Sequence, residues 1–162
     1  MAWTTSGIFT QTMVDMLGNV TAFDLAAAGD TFNIALYNNS ITPDYDASAA
    51  TIAYNTGQWA IANEVSGTGW AAGGVALTSQ ALAVATPAAG QFNWDVADVS
   101  ETGTTLSGIQ GALIYNFSLA TPVDNQGLCG IYFSGGPYST TAGTLTITWD
   151  TNGVFYIDTV PG

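Results

Sequence analysis

The 162-residue chain contains no lysine, no arginine and no histidine. Average composition predicts about 20 Lys and Arg in a chain of this length. Without histidine there is no side chain that titrates near neutrality and no imidazole metal ligand. Without Lys and Arg there is no Schiff base, no phosphate clamp and no patch to neutralise nucleic acid. Most enzyme classes, and nucleic acid as a partner, are thereby excluded. Cysteine is nearly absent too, because Cys129 stands alone and admits no intrachain disulfide. With no cation to lower its pKa, it reads as a buried apolar thiol. No apolar run approaches the roughly 18 residues that span a bilayer. The start, Met1-Ala2-Trp3-Thr4-Thr5, lacks the positive region that opens a secretory signal. The expectation is an unanchored protein made in the cytoplasm, with no membrane partner and no cofactor.

What the chain does have is apolar residues, 48% of the total, and twelve carboxylates giving a net charge of −12. So much apolar content argues against disorder. The charge instead implies a folded, acidic surface that repels copies of itself. The length suits one domain, 1–162, with an N-terminal arm and helix over 1–20 and a β-rich body over 31–160.

Phe9, Met13, Met16 and Leu17 recur at helical spacing, Ser6 is placed to cap the start, and Gly18-Asn19 ends the pattern. From residue 31 onward the signals are those of strands, at 31–37, 58–65, 74–78, 81–86, 91–99, 108–117, 127–134, 144–149 and 154–159. Gly, Pro, Asn and Ser bound them. Such spacing predicts a mainly β fold, an antiparallel β-sandwich or jelly-roll-like barrel with one short N-terminal helix. Asp150-Thr151-Asn152-Gly153 predicts the turn of a closing hairpin. Residues 38–54 form the longest expected loop, and the glycine-rich stretches around Trp70 and before Tyr138 form two more.

Candidate chemistry is sparse. Asp44 and Asp46 have the spacing of calcium ligands, but the further oxygens of a calcium loop are missing, and an Asx turn beside Pro43 explains them better. Asp95, Asp98 and Glu101 form a second acidic group. Asp95 and Asp98 have opposite parity, so a regular strand would not aim both at one bond. No serine has a His or Lys to activate it. Most aromatics fall in expected strands and read as core. Tyr45, Trp70 and Tyr138 fall in expected loops and are the better candidates for contacts with a partner or a glycan. The apolar helix face, with Trp3, Phe9, Met13 and Met16, is the other candidate interface.

Three segments carry a resemblance: 34–44 (IALYNNSITPD), 63–77 (NEVSGTGWAAGGVAL) and 111–116 (GALIYN). In order and spacing they resemble a group of small β-rich virion proteins of tailed bacteriophages, from about Phe9 to Ile157. The resemblance implies a structural role on the particle and carries over no catalytic, cofactor-binding or metal-binding residue. It implies a decoration protein on the outer head surface, bound to the major capsid protein, as a homo-oligomer in which a trimer on a local three-fold axis is preferred. The alternative is a tail or baseplate adhesin touching a host glycan through Tyr45, Trp70 and Tyr138. The complete loss of cations departs from what such proteins are expected to contain. It leaves contacts to backbone, aromatics and carboxylates.

Overall fold

Strand-forming apolar runs build the centre of the molecule, and irregular segments close over it. The computed structural model describes residues 3–84 and 90–160. Its first sheet joins β1 (Gly7–Ile8), β2 (Phe32–Tyr37), β3 (Val75–Ala76), β7 (Gly111–Asn116) and β8 (Gly127–Tyr132) in the order β1-β8-β7-β2-β3. A second sheet orders β4 (Ala81–Val84), β5 (Gln91–Asp95) and β10 (Phe155–Asp158) as β10-β5-β4. The third pairs two long strands, β6 (Val99–Ile109) and β9 (Tyr138–Ile147). All pairings are antiparallel. The sheets are open, so the expected sandwich, not the closed barrel, describes them.

The first sheet is covered on both faces, which is why FNIALY and GALIYN are almost uniformly apolar. Phe32, Ile34, Leu36, Ala112 and Ile114 point into a core shared with Trp94, Leu106, Ile109 and Ile147 of the other two sheets. Ala35, Tyr37, Leu113 and Tyr115 point the other way, against Trp3, Phe9, Ile41, Ile52 and Trp59. The long loop supplies that outer layer, through a single helical turn α2 (Ala49–Ile52) and two 3-10 turns, Gly57–Trp59 and Ile61–Asn63. Residues 58–65 are therefore not the strand their apolar content suggests. Trp59 anchors there, with ring centroids 5.0 Å from Tyr37, 5.6 Å from Trp3 and 5.8 Å from Phe9.

The N-terminal helix α1 spans Thr10–Leu17, later than the spacing predicts. Gly7 and Ile8 are held as a strand by Gly130 and Cys129, so the helix cannot begin at Ser6. The Ser6 hydroxyl instead accepts the Tyr132 N–H at 2.9 Å. The stop after Leu17 stands, and the left-handed residue beyond it is Asn19, at φ 53°. Two further expectations are corrected. The Asp150–Gly153 turn forms, with a 2.8 Å bond from Gly153 N–H to Asp150 O and Gly153 at φ 84°. Yet its flanking strands do not pair with one another, since β9 pairs with β6 and β10 with β5. The turn carries the chain from one sheet to the other. Strand β6 was hidden because register shifts at Glu101, Thr104 and Leu106 break its period of two.

Candidate functional site

The sequence-predicted interface residues do not form one surface: Trp3, Phe9 and Tyr45 meet in the outer layer of the first sheet, whereas Trp70 belongs to the core on its other face. Trp3, Phe9 and Trp70 are buried in the chain's own core. Trp70 is a correction: its glycine-rich loop lies against β6, through the Thr68–Thr105 bridge and the close approach of Gly69 to Thr104. Met13 and Met16 are half-buried, and the helix's exposed apolar residues are Val14 and Leu17. Tyr45 is half-buried, 5.6 Å from Phe9, and its hydroxyl donates to Thr5 O at 2.6 Å. Of the seven, Tyr138 is the one that is exposed.

The chain's carboxylates reveal how a fold without cations satisfies them. Asp15 is buried and accepts from Gln11 at 2.7 Å and Gln126 at 3.0 Å. Asp30 accepts from Asn116 at 2.7 Å, from Ser118 at 3.3 Å and from the Asp24 N–H at 2.9 Å. Asp46 accepts from Thr10 at 2.8 Å, while Asp44 takes the Asp46 N–H at 3.0 Å as an Asx turn. Asp98 takes the Trp149 N–H at 3.0 Å and Asp95 the Val96 N–H at 2.9 Å, so the two serve separate strand ends. Each of these partners is neutral, which fixes the carboxylate without cancelling its charge. Among the described residues, no group of three acidic or cysteine side chains is placed to share a metal ion.

A polar cluster lies on the outer face of the first sheet, where Tyr54 and Tyr115 stack 4.7 Å apart. Tyr54 donates to one oxygen of Glu64 at 2.9 Å, and the Gly73 N–H donates to the other at 2.8 Å. Tyr115 donates to Gly73 O at 2.8 Å, and Tyr37 donates to Trp59 O. Burial holds the Glu64 carboxyl above its ordinary range, against the opposing pull of those two donors. Burial likewise pushes the Tyr115 phenol up to about 12, and Tyr37 and Tyr54 are raised by burial and by Glu64. Each of these phenols donates to a fixed acceptor. The cluster clamps residues 57–74 onto the sheet, a task the sequence did not reveal because Tyr115, on the sheet, lies far along the chain from Tyr54, Glu64 and Gly73. Cys129 is fully enclosed, and burial drives its thiol pKa upward.

Two surface features remain. In the row Leu82–Trp94–Phe155 of the second sheet, Trp94 and Phe155 pack inward, with Trp94 buried 5.2 Å from Phe32, while Leu82 on the edge strand is exposed. The next row on the same face, Val84–Phe92–Ile157, runs past the core, and Val84 is 82% exposed. Strand β4 is a sheet edge, exposed along its whole length and uncharged. The second feature is a cleft between β8 and β9, lined partly by Phe133, Tyr138, Trp149 and Asp150.

Comparison with protein-family models, curated proteins and solved structures finds no match for this chain. The geometry thus defines a class, an antiparallel β-sandwich with an overhanging apolar sheet and uncancelled negative charge. Residues 34–44, 63–77 and 111–116 converge in the first sheet, as adjoining strands β7, β2 and β3 and the loop clamped by Glu64.

Proposed function

We propose that the chain is a non-enzymatic structural protein of a tailed-phage virion, a decoration protein seated on the outer shell of the head. The observation that carries this reading is the overhanging row Val84–Phe92–Ile157 beside the uncharged edge strand β4. An uncovered edge offers a row of backbone donors and acceptors to another chain, and natural proteins ordinarily block it with charge, proline or a covering element. Among the described residues it carries no charge, and its exposed Val84 stands in one row with the half-buried Phe92 and Ile157, the composition of a docking surface. The resemblance supports the same role, because its segments encode the framework and not a reactive site.

Electrostatics favours a partner with positive or neutral ground. Twelve carboxylates with no cation repel other copies outside a fixed contact. Repeated weak contacts on a symmetric shell give high occupancy, and a trimer on a local three-fold axis matches the lattice. The test is co-sedimentation of the purified protein with expanded capsids of the parent phage over a range of ionic strength. Saturable binding, lost on Val84→Asp, is expected. No binding at any salt concentration contradicts the reading. Of the three residues drawn for the adhesin alternative, Trp70 is buried, Tyr45 belongs to the outer layer of the first sheet, and Tyr138 is exposed.

A further inference from the structure

The cleft between β8 and β9 belongs neither to the clamp around Glu64 nor to the overhanging sheet, and its reading does not depend on the virion role. It is an open cleft that offers about 710 Å³, within the range of sites that take small ligands. Buried Ile109 and Ile147 lie at its base. Phe133 and Trp149, both half-buried, and Tyr138, 46% exposed, give it aromatic walls. The indole N–H of Trp149 donates to Ala97 O at 3.1 Å and the Tyr138 hydroxyl donates to Ser134 O, so both rings are fixed in place. Hydroxyl side chains such as Ser139, Thr144 and Thr146 stand around them, and β9, paired on one side alone, leaves main-chain groups along its other edge.

We propose that this cleft binds a neutral carbohydrate. A sugar ring has an apolar C–H face and a hydroxyl edge, and the cleft has matching parts. Aromatic walls take the face. Serine and threonine hydroxyls, which both donate and accept, take the edge with the carboxylate of Asp150. A wholly apolar ligand would strip water from those polar groups without replacing its hydrogen bonds. Phosphorylated, sulfated or uronic ligands would meet Asp150 and no cation anywhere in the chain. The ligand class is therefore uncharged.

Tryptophan fluorescence provides a selective test. Trp3, Trp59, Trp70 and Trp94 are buried, whereas Trp149 is half-buried in the cleft, so a ligand there changes the emission of Trp149 first. Titrations would use neutral oligosaccharides of glucose, galactose and N-acetylglucosamine, an oligouronate and the apolar dye ANS. A saturable response to at least one neutral oligosaccharide, and none to the oligouronate, is expected. Tyr138→Ala should weaken that binding at least about tenfold, with unchanged circular dichroism, while Tyr138→Phe keeps it. Failure of every neutral sugar, saturable binding of the oligouronate or ANS alone, or unaltered affinity in a folded Tyr138→Ala variant would overturn the assignment.

Discussion

Tyr54 and Tyr115 lie nearly parallel, 10° apart, and the hydroxyl of Tyr54 reaches a carboxylate that its own burial keeps reluctant to ionise. Because the Glu64 carboxyl sits above its ordinary range when folded, its protonated form is the one the fold favours. The stability it contributes is fully present below the unfolded carboxyl pKa, about 4.3, and is lost as pH rises through the higher folded value. Glu64→Gln should flatten that dependence. Thermal unfolding of both proteins from mildly acidic to neutral pH checks it: the wild-type melting temperature should fall relative to the variant as pH rises. Parallel profiles would mean that Glu64 titrates alike in both states.

Salt should stabilise this protein. With twelve carboxylates and no basic side chain, there are no side-chain ion pairs for salt to weaken, and only repulsion for it to screen. Raising NaCl from about 10 mM to about 0.5 M shortens the Debye length severalfold and should raise the melting temperature by a few degrees. A melting temperature that falls with NaCl would contradict the electrostatic account.

Gly74 has φ 73°, and a Cβ there would meet the Ile34 carbonyl oxygen at 1.8 Å. The contact is with backbone in the central sheet, so neither side can move cheaply. Gly74→Ala should cost more than about 4 kcal/mol and prevent folding or nearly so. Gly103 also has positive φ but nothing within 4 Å, so Gly103→Ala should cost only about 1–2 kcal/mol. Denaturant titration of the two variants separates backbone strain from collision.

Trp70 is core, and its indole N–H is buried without a partner. Trp70→Ala should lower stability by about 3–5 kcal/mol. Trp70→Phe should cost much less, because it removes the orphaned donor while keeping an aromatic ring in the core. Equal losses in the two variants, measured by denaturant unfolding, would argue against that account of the indole.

The sequence revealed what local chemistry decides. Runs such as FNIALY and GLCGIY had to be strands, and Gly153 had to sit in a turn. Local chemistry does not name the partner of a strand, so the Asp150–Gly153 turn resembled a hairpin while joining two sheets. Glycine around Trp70 suggested an exposed loop. In the fold, the same small residues let that loop lie flat on β6 and bury its tryptophan. The Glu64 clamp and the cleft join residues from distant parts of the chain, which no spacing rule connects.

The central claim, a decoration role, is tested most directly by the copy number of this protein in purified virions. Chymotryptic mass spectrometry with an internal standard suits a chain that offers trypsin no Lys or Arg. The account predicts copies in a simple ratio to the major capsid protein, on the order of hundreds per particle, as repetition on a symmetric shell requires. A count of about ten or fewer, or none, would contradict it, since closed symmetry at a tail or vertex limits copies to that scale.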